Sequence, residues 1–349
     1  METAAVRRTN RVVVIGASAG GVESLRQVAS ALHHGLPAAI FVVLHIPPSR
    51  PSCLPQILSR AGELRAFHPK DGDRIEPGAI YVAPPDHHLL IEGDRVGVKR
   101  GPKENRFRPS IDALFRSAAY NYGANVIGVV LSGALDDGTS GLWTIKRLGG
   151  TAIVQEPNEA RFESMPLSAL DQVNVDYVVE AGDIGSLLTR LVGEDRSAPE
   201  DDGDPILRKR VKTELAIASE GGAFEKGIMD VGELTPFTCP ECHGALVKLM
   251  EGKMTRYRCH TGHGYSDSAL LEGVMESTGE QLWQVMRSLE EAVMLIQHMS
   301  KDAEHAGNTH RAGALLVTAK DLEARAKSFH ASVLNHESLS GDNIESKAL

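Results

Sequence analysis

A chain of 349 residues, 42% apolar and 24% charged, has the make-up of a globular protein and the length for two or three domains, each with its own core. Its formal charge of -9 and pI near 5.9 argue against nucleic acid as a partner, because a phosphate backbone calls for a basic surface. The longest apolar run, 38–44, is too short to span a bilayer and the polar opening residues have no signal-peptide form, so a cytoplasmic protein with no membrane insertion is expected.

Residues 11–21 read R-V-V-V-I-G-A-S-A-G-G. The β-branched run 12–15 suits a strand buried on both faces, as in parallel sheets. After Gly21 the apolar positions Val22, Leu25, Val28, Ala29 and Leu32 fall at helical spacing, so Ser18 stands where a strand turns into a helix. Gly16-Ala17-Ser18-Ala19-Gly20 fits G-x-S-x-G, in which small neighbours let the chain bend sharply and expose the hydroxyl. A glycine-rich phosphate loop with Ser18 as a cap fits the same residues.

Further strand-like runs at 39–44, 126–131, 152–154 and 177–179 alternate with helical patterns. They predict an α/β domain over 9–192 built on a doubly wound, mostly parallel sheet. Residues 78–84 and 89–98 alternate apolar and polar positions around turn signals, which predicts an inserted antiparallel hairpin. Residues 193–205 are acidic and rich in Pro and Gly, and open an acidic linker and connecting segment over 193–236.

Three of the four cysteines lie close together, in Cys239-Pro-Glu-Cys242 and Cys259-His260-Thr-Gly-His263; Cys53 stands alone and reads as structural. Two such knuckles among short strands predict a small zinc-ribbon-like module over 237–268. Its ligands to a structural Zn2+ would be Cys239, Cys242, Cys259 and His263, with His260 competing for the fourth place. Leu282, Val285, Met286, Leu289, Val293 and Ile296 then mark one helical face, and Leu315, Leu322, Ala326, Phe329 and Val333 a second. They predict a helical hairpin over 269–336, followed by a flexible tail over 337–349. The hairpin offers a surface for self-packing or for other signalling proteins.

A serine hydroxyl needs a base within hydrogen-bond reach and a third group to orient that base. His45 directly follows the second strand, in F-V-V-L-H-I-P-P, and Asp137 follows another, in V-V-L-S-G-A-L-D-D-G. In a parallel sheet both fall at the same carboxyl edge as Ser18. Taken singly, His45 fits a plain strand-end residue, and Asp136 and Asp137 fit helix caps or ligands for a hard cation.

Residues 11–192 resemble the catalytic domain of the CheB protein-glutamate methylesterases. The resemblance is carried by V-V-V-I-G-A-S-A-G-G, V-V-L-H-I-P, A-I-Y-V-A-P-P-D-H-H-L, R-P-S-I-D-A-L-F-R-S-A-A, V-V-L-S-G-A-L-D-D-G-T-S-G-L and Q-E-P-N-E-A-R-F-E-S-M-P. It implies Ser18 as nucleophile, His45 as base and Asp137 as the group that orients it, with no cofactor for catalysis. It also implies hydrolysis of glutamate methyl esters on the cytoplasmic part of methylated chemoreceptors in chemotaxis-like signalling, with deamidation of receptor glutamines as a companion activity. Amides near Ala19 and in the Gly133-Ala134 loop would hold the oxyanion. Where the family commonly has threonine after the nucleophile, this chain has Ala19, and the alternative reading of a weak or inactive homologue serving as a signalling scaffold rests on that residue. No receiver precedes the first strand, so control by phosphorylation in cis is not expected.

Overall fold

Strand β1 (Arg11–Ala17) is buried at every position, Val12 and Val14 turned into one apolar core and Val13 and Ile15 into the other. Both faces of its sheet must therefore be covered. The computed structural model describes residues 11–194 and 204–337. In it β2 (Ala38–Leu44), β3 (Arg65–Phe67), β4 (Ala79–Val82), β7 (Val126–Val130), β8 (Thr151–Gln155) and β9 (Tyr177–Val179) join β1 in a sheet of order β3-β4-β2-β1-β7-β8-β9. Every neighbouring pair in it is parallel. Helices α1 (Gly21–Ser30), α2 (Leu54–Ala61) and α6 (Ala181–Gly193) cover one face through Leu25, Val28, Leu58 and Leu188. Helices α3 (Ile111–Tyr122), α4 (Thr139–Arg147) and α5 (Ser164–Gln172) cover the other through Leu114, Phe115, Leu142 and Met165. The strand order reverses at β1, between β2 and β7. Such a reversal opens a crevice beyond the carboxyl ends of these strands.

The hairpin is narrower than the alternating pattern predicts. Strands β5 (His88–Glu92) and β6 (Arg95–Lys99) form an antiparallel pair packed against α3. Residues 79–82 belong instead to the main sheet, parallel to β2. Ile80 and Tyr81 serve opposite cores there, and that demand looks the same in sequence for either strand direction.

The connecting segment over 193–236 includes a helix. Residues 195–203, the body of the acidic linker, lie outside the described residues, but 205–220 form a helix, α7 (Pro205–Glu220). Asp204 caps it, accepting from the Ile206 and Leu207 amides, and Leu207 and Val211 enter the core shared with α3. Strands β10 (Glu233–Thr238), β11 (Ala245–Glu251), β12 (Met254–Cys259) and β13 (Gly264–Ser266) follow as one antiparallel sheet, and Val247 and Leu249 pack on Ile217 of α7.

Buried charge, together with apolar contact, joins this small sheet to the rest. Arg116 of α3 pairs with Glu104 and lies 3.5 Å from Glu214 of α7. Arg256 of β12 reaches Glu214 at 2.9 Å and Glu251 at 3.0 Å, and Arg258 reaches Glu104 at 2.9 Å. All six side chains are buried. Such a set is stable only while each charge keeps its partners, and removing one member leaves the others uncompensated.

The chain divides into two compact units, Met1–Ala269 and Leu270–Leu349. In the second, most of α8 (Asp267–His305) is followed by α9 (Thr309–Glu337), with Val293, Ala319, Ala326 and Val333 buried and Ser300 donating to the Ala312 carbonyl at 2.9 Å. The flexible tail over 337–349 lies outside the described residues beyond Glu337. No helix among the described residues is long and apolar enough to cross a membrane.

Replacing Glu214 with Gln leaves Arg256, Arg116 and Arg258 short of one buried negative charge. Urea unfolding is expected to show a loss of about 3–5 kcal/mol. A loss below about 1 kcal/mol, the range of an exposed pair, would mean that the cluster is solvated.

Candidate active site

Ser18 follows β1, His45 follows β2 and Asp137 lies in the loop after β7, so neighbouring parallel strands deliver all three to the crevice. At the first of these strand ends the chain turns through Gly20, whose φ of 75° lies in the left-handed region. Helix α1 starts immediately after, with Ser18 just outside its first turn. Gly133 lies against Ser18. A Cβ there would stand 2.9 Å from the Ser18 Cβ and 2.0 Å from the Met165 sulfur, so a larger residue would push the serine aside.

The Ser18 hydroxyl lies 3.2 Å from Nδ1 of His45, and Nε2 of His45 lies 2.8 Å from Oδ2 of Asp137. The carboxylate fixes the tautomer: Nε2 carries the proton and donates it, which leaves the Nδ1 lone pair to accept from Ser18. Phe107 stacks on the imidazole with ring centroids 3.8 Å apart and an 8° interplanar angle, which holds the ring plane.

Asp137 is 2% exposed and carries a dense set of donors. Besides His45, its Oδ2 accepts from the Ile111 amide at 2.7 Å. Its Oδ1 accepts from Asn105 Nδ2 at 2.9 Å, Ser110 Oγ at 3.1 Å and the Asp112 amide at 3.2 Å. The Ile111 and Asp112 amides are the first of α3, so Asp137 caps a helix distant in sequence and sits at its positive end. Burial alone would raise the Asp137 pKa, but the hydrogen bond and charge of His45, with the Ile111 and Asn105 donors, outweigh it and hold it at about 2. Asp112 is driven the other way. Burial and the charge of Asp137 push it up to about 8, so at neutral pH Asp137 holds the negative charge and Asp112 the proton.

The loop bearing Asn105 and Phe107 has its own supports. Arg108 pairs with Asp86 at 2.6 Å and donates to the Gly101 carbonyl. His88, fully buried, accepts from the Ser110 amide at 3.2 Å and donates to the Pro102 carbonyl at 2.8 Å. Burial depresses its pKa, so it serves this bridge as a neutral ring.

Of the three residues expected near the oxyanion, Gly133 needs correction as a donor. Its amide is committed to the Phe162 carbonyl at 3.0 Å, so Gly133 shapes the wall and donates nothing. The Ala19 and Ala134 amides have no acceptor among the described residues. Ala19, in the place of the common threonine, contributes its carbonyl to Ser132 Oγ at 2.9 Å, and no contact in the line from Ser18 to Asp137 passes through its side chain.

At the far end of the same unit Cys239, Cys242, Cys259 and His263 gather so that one ligand atom from each lies within 4.8 Å of every other. His263 turns Nδ1 toward the sulfurs and Nε2 toward Glu241, 3.6 Å away, an arrangement in which a carboxylate steadies a metal-binding imidazole. The Gly262 and His263 amides donate to Cys259 Sγ at 3.3 and 3.2 Å, as suits a thiolate. The donor chemistry fits tetrahedral zinc. His260 is exposed, its ring lies over Gly244, and it is not one of the four residues whose ligand atoms converge.

Asn105, Phe107, Ser110 and Asp112 were not singled out by sequence reasoning as members of the site. Ser110 and Asp112 stand within R-P-S-I-D-A-L-F, one of the motifs that carry the family resemblance, so a signal for them was present.

A hydroxyl, an imidazole and a buried carboxylate in one hydrogen-bonded line at the reversal point of a parallel sheet form the arrangement of α/β serine hydrolases. The family model described as CheB methylesterase matches residues 13–188, just over half of the chain, and the chain belongs to that family. A Leptospira interrogans protein, named provisionally as a protein-glutamate methylesterase/protein-glutamine glutaminase, is 38% identical over 180 residues, which are 51% of this chain and 93% of the relative. A Rhodospirillum rubrum protein named for the same two activities is 39% identical over 171 residues, 48% of this chain and 47% of its own length. The crystal structure of the Thermotoga maritima CheB methylesterase catalytic domain is similar with a TM-score of 0.50 at 34% identity, covering 52% of this chain and 98% of that one.

The carboxyl values give stability a two-sided pH dependence. Asp137 near 2 and Glu104 near 2 lie below the unfolded carboxyl range of about 4, so their contribution is present above about pH 4 and is lost as pH falls toward 2. Asp112 near 8 acts oppositely: its contribution is complete below about pH 4 and is lost as pH rises toward 8. Denaturant midpoints of the wild type are expected to fall relative to those of Asp112→Asn as pH rises from about 4 to 8, the depressed His88 acting alike on both proteins, and a constant difference would mean that Asp112 is ionised in the folded protein.

Proposed function

We propose that this protein is a serine esterase that removes methyl groups from glutamate side chains of methylated chemoreceptors in the cytoplasm, with the related glutamines as amide substrates. The observation that carries the reading is the hydrogen-bonded line from Ser18 through His45 to Asp137; family membership and the names of the relatives support the substrate class.

In the first step Ser18 Oγ attacks the ester carbonyl while His45 Nδ1 takes the hydroxyl proton. The imidazolium is stabilised by Asp137, whose charge is secured by its donors. The Ala19 amide, with that of Ala134, receives the oxyanion. One such donor is worth about 3 kcal/mol in the transition state. His45 returns the proton to the leaving oxygen and methanol departs. Water, deprotonated by His45, then cleaves the acyl-serine and frees the glutamate carboxylate; with a glutamine substrate, ammonia leaves instead. The chemistry needs no cofactor.

The C-terminal part of the first unit is read as a zinc-ribbon-like module in which Cys239, Cys242, Cys259 and His263 hold a structural Zn2+. Four protein ligands leave no open position, so the metal organises the strands and takes no part in hydrolysis.

Two measurements test these readings. Methylated chemoreceptor membranes should release methanol with the wild-type chain, and Ser18→Ala should reduce the rate on the order of 10⁴-fold or more; equal release by both proteins would remove Ser18 as the nucleophile. Protein purified without chelators should contain about one zinc per chain, falling to background in Cys239→Ser with Cys242→Ser. A metal-free wild type would end the zinc reading.

A further inference from the structure

Asn105 lies in a tight turn in which Glu104 and Phe107 exchange backbone hydrogen bonds at 3.1 and 2.9 Å. Its φ of 49° is left-handed, a conformation that asparagine accepts more readily than most residues. The side chain is 3% exposed and bonded at both ends. Nδ2 donates to Asp137 Oδ1 at 2.9 Å and to Asp112 Oδ2 at 3.0 Å, while Oδ1 accepts from the Ser266 amide of β13 at 2.9 Å. Only a carboxamide can give protons to two carboxyl groups and take one from a backbone amide at once.

Strand β13 reaches the same loop along its backbone. The Asn105 amide donates to the Gly264 carbonyl at 2.8 Å, and the Gly264 amide donates to the Lys103 carbonyl at 3.1 Å. Gly264 directly follows His263 of the Cys/His cluster. Within the same unit, the hydroxyls of Ser266 and Ser268 donate to the two oxygens of Asp136 at 2.7 Å each, beside Asp137 in sequence. The start of the segment after the cluster therefore holds the loop of Asp137 directly and its side chain through Asn105.

We propose that Asn105 is a positioning residue for the esterase reaction and that β13 sets it, so that the Cys/His module acts on Ser18 through Asn105, Asp137 and His45. The proposal rests on the serine-esterase reading above. The Cys/His cluster adjoins one end of β13, Asn105 bonds to both Gly264 and Ser266 of that strand, and the carboxylate that orients the base is the load they share.

The test uses the full chain and a fluorophosphonate, which needs an active serine but no knowledge of the receptor. The Ser18 oxygen forms a bond to phosphorus, fluoride leaves and the hydroxyl proton passes to His45; rates are followed by mass spectrometry across pH. Labelling of the wild type and not of Ser18→Ala secures the esterase reading independently, whereas an unlabelled wild type sinks that reading and this proposal with it.

Given a labelled wild type, Asn105→Gly tolerates the left-handed backbone and keeps its hydrogen bonds while removing the carboxamide. It should slow labelling on the order of 10²-fold. Asn105→Asp keeps the shape and adds a fourth carboxyl to those of Asp136, Asp137 and Asp112, with His45 and His88 the other titratable groups facing Asp137, so the acid limb of its pH profile should move up by about one unit. Rates within about twofold of wild type, or slowing that follows lost thermal stability with an unmoved acid limb, would overturn the positioning role.

The module's part is read without activity. A zinc chelator should raise amide exchange over 264–268 and over 103–107 together. Exchange that rises in the first segment alone, or in neither, would overturn the link.

Discussion

A carboxylate buried at 2% exposure is the constraint from which most of this active site follows. Taking such a charge out of water costs several kcal/mol unless hydrogen bonds replace the solvent. For Asp137 the replacements come from the end of β2, the turn holding Asn105 and the first amides of α3. Those elements have to converge on one point, and the doubly wound sheet is the frame that lets them. Helix α3 crosses the sheet with its positive end on the carboxylate, and the seven-residue strands β1 and β2 end level with each other, Ala17 beside Leu44. His45 is thereby given a fixed tautomer, with its free nitrogen facing Ser18.

The same economy of buried charge organises the part of the first unit beyond α7. A sheet of four short strands has little apolar area with which to dock, and five residues, Ile217, Ala223, Ile228, Val247 and Leu249, make up its buried apolar cluster. Glutamates and arginines supply the rest. Arg258 joins two tasks, pairing with Glu104 at 2.9 Å and donating to the Gly262 carbonyl at 2.8 Å between Cys259 and His263. The cluster of cysteines and the ion cluster are thus one structure seen from two ends.

Sequence pattern located what stands directly after an apolar run. Ser18 and His45 abut strands that are apolar on both faces, and Asp137 follows β7 after a short loop, so a parallel-sheet reading places them at one edge. The Cys/His grouping is legible from spacing, although only the fold separates His263 from His260. Asn105 was not legible, because its partner Ser266 lies 161 residues away and its turn has no periodicity. Arg256 and Arg258 alternate with Tyr257 along β12, a pattern that reads as a solvated face. That face meets Glu214 of α7 and Glu104 of the preceding loop, and no local rule announces partners that arrive from elsewhere to meet it.

The span of the ion cluster also orders events during synthesis. Glu104 and its partner Arg256 are 152 positions apart. At a ribosomal pace of about 5–20 residues per second, roughly 8–30 s separate their emergence. Within that interval the strands bearing Ser18, His45 and Asp137 become available to pair, while Glu104 still lacks Arg256 and Arg258. The buried charges of the first half of the chain are therefore complete only once β12 has been made.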